Sequence, residues 1–482
     1  MADLLVIGAG LTGSAAALFA ARRGHRVTVL DADEPPPAGA APDADVWSWQ
    51  RPGVPHARQG HTFLALSTRV LREEAPDVLD ALGRRGALLE PLDEDGPDAA
   101  VLSRRLVYEG VLRRAAEAEP AVAIHSGVRV SGLCLHGELD GVPRVVGVRT
   151  VAGDEIDADL VVDAGGRRSP TARLLAGAGL AIPPDQVQPC GFFYLTRHYR
   201  LRPGAAFPTT AVPLVSELDY ASAIVFPGDN GTFQLSATVG VSDPLRHRLR
   251  DPRVFTRFLR SVPGTAPWID RGEPVDDPNP MGRIENRWRR LVDGNGRPVV
   301  AGLVLLGDAA MQTNPTFGRG TSLGLTHAQR LADVVERLGT NSLGTVVDFE
   351  TWTADHPGRW FAIQRATDLA RFAQLAAGLR GERTARPDDL PNQFVRAMAV
   401  LRDEDPDIRR ASMRLYHMLM TPQELMSDRT VARRILAHLK EYGVPHPEPE
   451  GPDRTAFEAM AAASPGGPVK SFPDLSTNAA GS

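Results

Sequence analysis

The sequence predicts an α/β protein: a parallel, Rossmann-like sheet interrupted by a mostly antiparallel β-sheet and followed by a helical C-terminal region. Three observations predict it. At the N-terminus, Asp3–Ile7 reads as a buried strand, Gly8-Ala9-Gly10-Leu11-Thr12-Gly13 as a glycine turn, and Ser14–Arg23 as an Ala-rich helix; a second strand, Arg26–Leu30, ends at Asp31. Far along the chain, Pro298–Leu306 returns to buried-strand character and runs into Gly307-Asp308. Between the two, Thr232–Val239 alternates, with Phe233, Leu235, Ala237 and Val239 on one face and Thr232, Gln234, Ser236 and Thr238 on the other.

In the opening unit Gly8 permits the tight turn, Gly10 lets backbone approach a pyrophosphate, and Gly13 lets helix and strand pack closely. The helix N-terminus points its unpaired N–H groups at the phosphates. Asp31, at the strand tip, is placed to hold both hydroxyls of an adenosine ribose. The polar stretch 32–45 reads as loop. Arg51–His61 is irregular too, yet it concentrates Arg and His as solvent loops seldom do. Leu66–Gly83 and Ser103–Ala118 have helical spacing, Val128–Leu135 and Val145–Val151 read as strands, and Asp159–Gly166 is a further nucleotide-domain strand ending in glycines. Gly191–Arg202 and Tyr220–Phe226 join Thr232–Val239 in an inserted sheet with one covered face, and Pro227–Gly231 supplies turn chemistry. Both faces of 193–199 carry aromatics: Tyr194, Thr196 and His198 on one, Phe193, Leu195 and Tyr199 on the other. Which of them lines a pocket stays open. Thr321–Leu338 reads as a helix, the region to 439 is helix-rich, and the last ~20 residues read as disordered. The expected division is 1–185 with 295–345 as the nucleotide domain, 50–100 partly lining its cleft. Residues 186–294 form the inserted sheet, 346–460 a helical region and 461–482 a tail.

At 482 residues the chain exceeds one compact core. Apolar content of 43% and charged content of 23% suit an ordinary globular protein. A net charge of −5 and a pI of about 6.2 leave nothing to attract nucleic acid or an anionic membrane surface. Cys134 and Cys190 are too few for a disulfide framework and lack metal-ligand spacing, so no metal is expected. No apolar run approaches ~20 residues and the first strand starts at once, so the expected location is cytoplasmic, with no membrane span.

A second cluster follows Gly307-Asp308-Ala309-Ala310: Asn314-Pro315-Thr316-Phe317-Gly318-Arg319-Gly320. A buried strand ending in Gly-Asp sets a carboxylate at the sheet edge where ligands of open α/β sheets bind. Asp308 is suited to hydrogen bonds from a ribityl chain. The glycines at 318 and 320, after Pro315, let backbone pass close to a flat ring, and the helix starting near Gly320 directs its positive end at that ring.

Gly8–Gly13, Asp31, Asp159–Gly166 and Gly307–Gly320 together resemble the flavoprotein monooxygenases of the para-hydroxybenzoate hydroxylase fold, across about the first 340 residues. Gly53-Val54-Pro55-His56-Ala57-Arg58 with His61, and Ser103-Arg104, resemble the actinobacterial branch that includes polyether epoxidases. That branch commonly carries Gly-Val-Pro-Gln-x-Arg-His-x-His; Arg58 and His61 match it, while His56 and Gln59 depart. The resemblance implies a glutathione-reductase-type domain binding FAD through Gly8, Gly10, Gly13, Asp31, Asp308, Pro315, Gly318 and Gly320. It also implies Arg58 near the isoalloxazine and Arg104 reaching the phosphate or ribityl region.

The implied activity is hydroxylation or epoxidation through a flavin C4a-hydroperoxide, with O2 as co-substrate. The implied reductant is NAD(P)H or a separate flavin reductase. The implied substrate is a small secondary-metabolite intermediate, as in antibiotic biosynthesis. No side-chain nucleophile is required, and no catalytic residue is assigned. The alternative is an FAD-dependent reductase or dehydrogenase of the geranylgeranyl-reductase type, which uses similar Gly-Asp motifs. A flavin halogenase needs a Trp-x-Trp-x-Ile-Pro block in mid-chain, whereas Trp47-Ser48-Trp49 comes early and is followed by Gln50-Arg51.

Overall fold

The computed structural model describes residues 1–37, 46–93, 96–208, 215–382, 389–445 and 449–463. Most of the loop expected at 32–45, and the tail beyond 463, lie outside the described residues.

Five parallel strands form the central sheet, in the order Leu303–Leu305, Leu160–Asp163, Asp3–Ile7, Arg26–Asp31, Val122–Ser126. Leu5 pairs with Thr28 on one side and Val161 on the other, and Val304 pairs with Val162. Runs of Leu, Val and Ile make a sheet that is covered on both faces. On one face pack the helices Leu11–Arg22, Arg105–Glu117 and Arg319–Leu338, whose Ala16, Leu112 and Leu331 share a core with Val6 and Val29. The other face is covered by an antiparallel three-stranded sheet, whose Leu133, Val145 and Val148 meet Leu5, Val161 and Leu305.

The inserted sheet has the order Val215–Glu217, Ala221–Pro227, Thr232–Gly240, Phe192–Leu201, Gly272–Pro274, with Asn279–Met281 also paired to Phe192–Leu201. Its Phe193, Leu195, Phe233 and Leu235 pack on Val254, Phe255, Phe258 and Leu259 of the helix Pro252–Ser261. The opposite face is buried as well, against the expectation of one covered face: Tyr194, Thr196, His198, Gln234, Ser236 and Thr238 are all below a tenth exposed. This polar face turns towards the cleft of the parallel sheet. Tyr194 donates to Asn314 Oδ1 at 2.7 Å, and a Cβ on Gly60 would strike the ring of Phe226.

Local corrections are small and have local causes. Leu66–Gly83 is two helices, Ala65–Glu74 and Pro76–Arg84, because Pro76 lacks the N–H that would continue the first and opens the second instead. The long helix begins at Arg319, capped by Gly318 in the left-handed conformation. The chain after it is helical, ending at Arg454–Ala462, which returns to the inserted sheet: Phe457 joins the core of Phe255 and Phe258. No helix among the described residues is long and apolar enough to cross a membrane.

Candidate functional site

A cleft of about 450 Å³ runs along the C-terminal edge of the parallel sheet, lined at one end by Asp31 and Arg51 and at the other by Asp308, Pro315, Gly318 and Gly320. Gly8 lies at φ +98°, where a Cβ would sit 2.8 Å from Ala164 O. At Gly13 a Cβ would approach Gly8 O to 1.9 Å, so glycine there is what seats the first helix on the strand. Gly10 caps that helix without any side-chain hydrogen bond, and a Cβ on it would meet nothing within 4 Å. Open space before uncapped N–H groups is the cradle a pyrophosphate requires.

Asp31, at the end of the cleft where the sequence places the adenosine ribose, does not stand alone. Its Oδ2 accepts from Arg51 Nη1 at 2.9 Å and Arg113 Nη1 at 3.0 Å, and its Oδ1 from the Asp33 N–H at 3.1 Å. A carboxylate offers about four acceptor sites. One remains for a ribose hydroxyl, which corrects the expectation of two. Arg51 Nε reaches Glu109 Oε1 at 2.9 Å, and Glu109 Oε2 reaches Arg105 Nη2 at 2.8 Å. Arg105, Glu109, Arg113 and Glu117 thus occupy successive turns of one helix as an alternating ladder. Glu109 and Arg113 are fully buried.

The ladder ends at the pole of the cleft lined by His56, His61 and Asp308. Arg105 Nη1 lies 3.3 Å from His61 Nε2 and 3.4 Å from His56 Nε2, and His61 Nδ1 lies 2.8 Å from Gln59 O. A guanidinium N–H directed at both Nε2 lone pairs assigns the proton of His61 to Nδ1. Burial, with Arg105 second, lowers His61 to about 3 and pushes His56 well below the usual imidazole range. Burial also raises the Asp308 carboxyl, against the lowering effect of Arg105 and Arg167.

Behind the ring-facing loop, Asp368 accepts from Asn314 Nδ2 at 2.8 Å, Asn286 Nδ2 at 2.7 Å and Gln364 Nε2 at 2.9 Å. Arg319 gives Nη1 to Gln364 at 2.8 Å and stacks over Phe317 and Trp360; burial lowers it to about 10. This cluster fixes the backbone that precedes Gly318. Gly318 itself lies at φ +66°, with Thr62 Cβ 2.8 Å from the position of a Cβ. The helix beginning there has no side-chain cap, so its N–H groups remain for a ligand.

Gly8, Gly10, Asp31, Asp308, Pro315, Gly318 and Gly320 line one cleft, and Gly13 supports its floor. Two arginines go elsewhere. Arg58 is exposed, bonded to Trp47 O at 2.9 Å, and does not line the cleft. Arg104 turns away to Asp229, with Nη2 to Oδ1 at 2.5 Å and its backbone N–H to Oδ2 at 2.6 Å; the cleft residue is Arg105. Asp163 is buried, accepting from Gly165 N and Ser169 Oγ, so it shapes the turn behind the lining glycines. Arg51, Arg105, Glu109 and Arg113 are additions: the sequence signal of the last three is the four-residue spacing of the ladder, and that of Arg51 is its place at the head of the Arg- and His-rich stretch to His61. The glycine cradle, the acid with one acceptor left and the second uncapped helix together suit a ligand with a diphosphate, a ribose and a flat ring, as FAD has.

Comparison with known proteins agrees. The sequence profile of the DAO family of FAD-dependent oxidoreductases matches residues 3–51. The chain is 26% identical over 435 residues to menaquinone reductase of Mycobacterium tuberculosis, covering 84% of this chain and 93% of that protein. It is 26% identical over 348 residues to a 3-hydroxy-4-methyl-anthranilyl-(aryl-carrier protein) 5-monooxygenase of Streptosporangium sibiricum, covering 69% and 78%. PqsL, a probable FAD-dependent monooxygenase from Pseudomonas aeruginosa, shares the fold with a TM-score of 0.57 at 17% identity, over 79% of this chain and 99% of that one. The protein is an FAD-dependent oxidoreductase with the architecture of the para-hydroxybenzoate hydroxylase type. Site and relatives together support a flavin monooxygenase.

Proposed function

We propose that the protein inserts one oxygen atom from O2 into a small secondary-metabolite intermediate, by hydroxylation or epoxidation. The observation that carries the reading is the docking of the inserted sheet onto the loop at the flavin end. Tyr194, on the buried polar face of the inserted sheet, is tied to Asn314 Oδ1 at 2.7 Å and to Thr316 Oγ1 at 2.5 Å, beside Pro315 and Gly318. Oxygen insertion needs exclusion of water. The monooxygenase relative, aligned over 69% of the chain, supports it.

FAD, held by the glycine cradle, Asp31 and the Asp308–Gly320 edge, would supply the redox chemistry, with O2 as co-substrate and NAD(P)H or a separate flavin reductase as electron source. The chain's own part is binding and electrostatics. Arg105 and the helix at Gly318 bring positive potential to the ring end, while His56 and His61 remain neutral there. The inserted sheet, 186–294, orients the substrate through its polar face. His61 and Gly53-Val54-Pro55 favour the actinobacterial polyether-epoxidase-like branch, and dependence on NAD(P)H fits a cytoplasmic setting.

A second reading, an FAD-dependent reductase, is favoured by the menaquinone reductase relative, which aligns over 84% of the chain. Isotopically labelled O2 separates the two. The reduced holoenzyme is given an extract from cells lacking its gene, and products are read by mass spectrometry. A product carrying one labelled oxygen is expected. A product that gains hydrogen and no label overturns the monooxygenase in favour of the reductase.

A further inference from the structure

The side of the inserted sheet away from the cleft holds a second concavity, about 600 Å³, between the strand Phe192–Leu201, the helix Pro252–Ser261 and Met460 of the last helix. Its charged lining is entirely arginine: Arg197, Arg253, Arg257 and Arg260. The last three stand at i, i+4 and i+7 of the helix, so they share one face, while Val254, Phe255, Phe258 and Leu259 fill the core on the other. Like charges at that spacing destabilise a helix. Asp251 offsets Arg253 at 2.9 Å, and Asp270 lies 3.4 Å from Arg260. Arg257 gives Nη1 to a carbonyl, Met460 O, at 3.1 Å.

Beneath them lies Arg197, only 9% exposed. Its described hydrogen-bond acceptors are uncharged: Asp276 O at 2.6 Å and Thr256 Oγ1 at 3.2 Å. A buried guanidinium without a counter-charge is costly to keep. The chain as a whole carries a net charge of −5, so this is a local excess of the opposite sign. Two features therefore converge on one groove: a helix face with more arginines than carboxylates, and a buried arginine held by uncharged acceptors and the Tyr199 ring.

We propose that this groove binds a phosphoryl-bearing anion, with diphosphate as the best match. Guanidinium groups pair with phosphate oxygens in two-pronged hydrogen bonds, and a diphosphate supplies several negative charges where one carboxylate supplies one. The groove also reaches the cofactor side. Arg197 holds the Asp276 carbonyl, and the Asp276 carboxylate clamps His198 on the opposite face of the strand, 2.8 Å from its backbone N and 2.6 Å from Nδ1. An anion drawn against Arg197 bears on the polar face that roofs the cleft.

A nucleotide coenzyme and a phosphopantetheine arm carry the same chemistry, so the test has separate arms. Holoenzyme saturated with FAD, its own diphosphate site filled, is titrated calorimetrically with inorganic pyrophosphate, NADPH and coenzyme A at low and high salt. Pyrophosphate is expected to bind, and to weaken as salt rises. The double variant Arg257→Ala/Arg260→Ala is expected to weaken binding about tenfold or more with FAD content unchanged. A coenzyme that binds more tightly than pyrophosphate names the source; pyrophosphate alone supports a free phosphate ligand. No binding of any of the three at low salt, or equal affinity in the double variant, overturns the proposal.

Discussion

The two ends of the cofactor cleft are built on opposite principles. The adenosine end is an ion-paired lattice: Asp31, Arg51, Glu109 and Arg113 are buried, with opposite charges 2.9 to 3.0 Å apart, and Asp31 keeps one acceptor for a ligand. The flavin end is under-satisfied, with an uncapped helix, a raised carboxyl at Asp308 and two imidazoles held neutral. One end is preorganised by pairing and the other by withheld pairing. The first fixes where a cofactor lies, and the second leaves donors for charge that develops on its ring.

The comparison breaks most easily at Glu109, which bridges the two ends. Glu109→Ala leaves Arg105 without its buried carboxylate and strips one of Arg51's partners, Asp31 and Asp33 remaining, an expected loss of about 3–5 kcal/mol. Denaturant unfolding of the FAD-stripped variant reads it, and a loss confined to the FAD-bound form would show that the lattice does not hold the apoprotein together. Asp31→Ala follows the same logic at a smaller scale. If Asp31 served the ribose alone, only FAD affinity would fall; with Arg51 and Arg113 on its Oδ2, the apoprotein is destabilised as well.

At the flavin end the expected losses are local. Gly318→Ala places a methyl 2.8 Å from Thr62 Cβ at a φ of +66°, an expected cost of about 1–3 kcal/mol. FAD is expected to stay bound through the adenosine end, while its visible spectrum shifts and oxygen-dependent turnover falls. Loss of FAD with the loop intact would show that the two ends are not separable.

The withheld pairing has a pH signature. His61 titrates at about 3 and His327 at about 4 in the fold, against 6.5 for an unperturbed histidine, so the unfolded chain binds their protons first. Stability is then complete above about pH 6.5 and declines as pH falls towards 4, by about 1.4 kcal/mol per pH unit for each such histidine. His327→Gln, which removes a ring accepting from Gly307 N at 3.0 Å, is expected to lower stability at neutral pH and flatten that slope. An unchanged slope would place the acid sensitivity elsewhere.

How much of this was legible in the sequence divides along the same line. Gly8, Gly13 and Gly318 were readable because their constraint is local: a positive φ, or backbone within 3 Å of a missing Cβ. The ionic lattice was not. Arg105-x3-Glu109-x3-Arg113-x3-Glu117 is present in the chain, but alternating charge at helical spacing is the pattern of a solvated face, and nothing local reports that Glu109 is buried. Choosing Arg104 over Arg105 failed for a related reason. Residue 104 caps the helix, and its direction is set by Asp229 on a turn 125 residues away. Likewise the alternation of 232–239 showed two faces, but not that the polar one is covered.

The smallest expected effect is the sharpest check on family resemblance. Arg58 matches the loop motif that implied a place by the isoalloxazine, yet it lies exposed over the ring of Trp47, 5.5 Å from its centroid, and bonds a backbone carbonyl. An exposed cation–π pair of this kind contributes about 0.5–1 kcal/mol at most. Arg58→Ala is therefore expected to change stability by about 0.5 kcal/mol and FAD affinity not measurably. Arg105→Ala, by contrast, uncouples Glu109 and both imidazoles and should weaken FAD clearly. Fluorescence titration of FAD into the two apoproteins ranks them. If Arg58→Ala proves the weaker binder, the loop closes over the cofactor, and the motif rather than the residue ladder defines the flavin end.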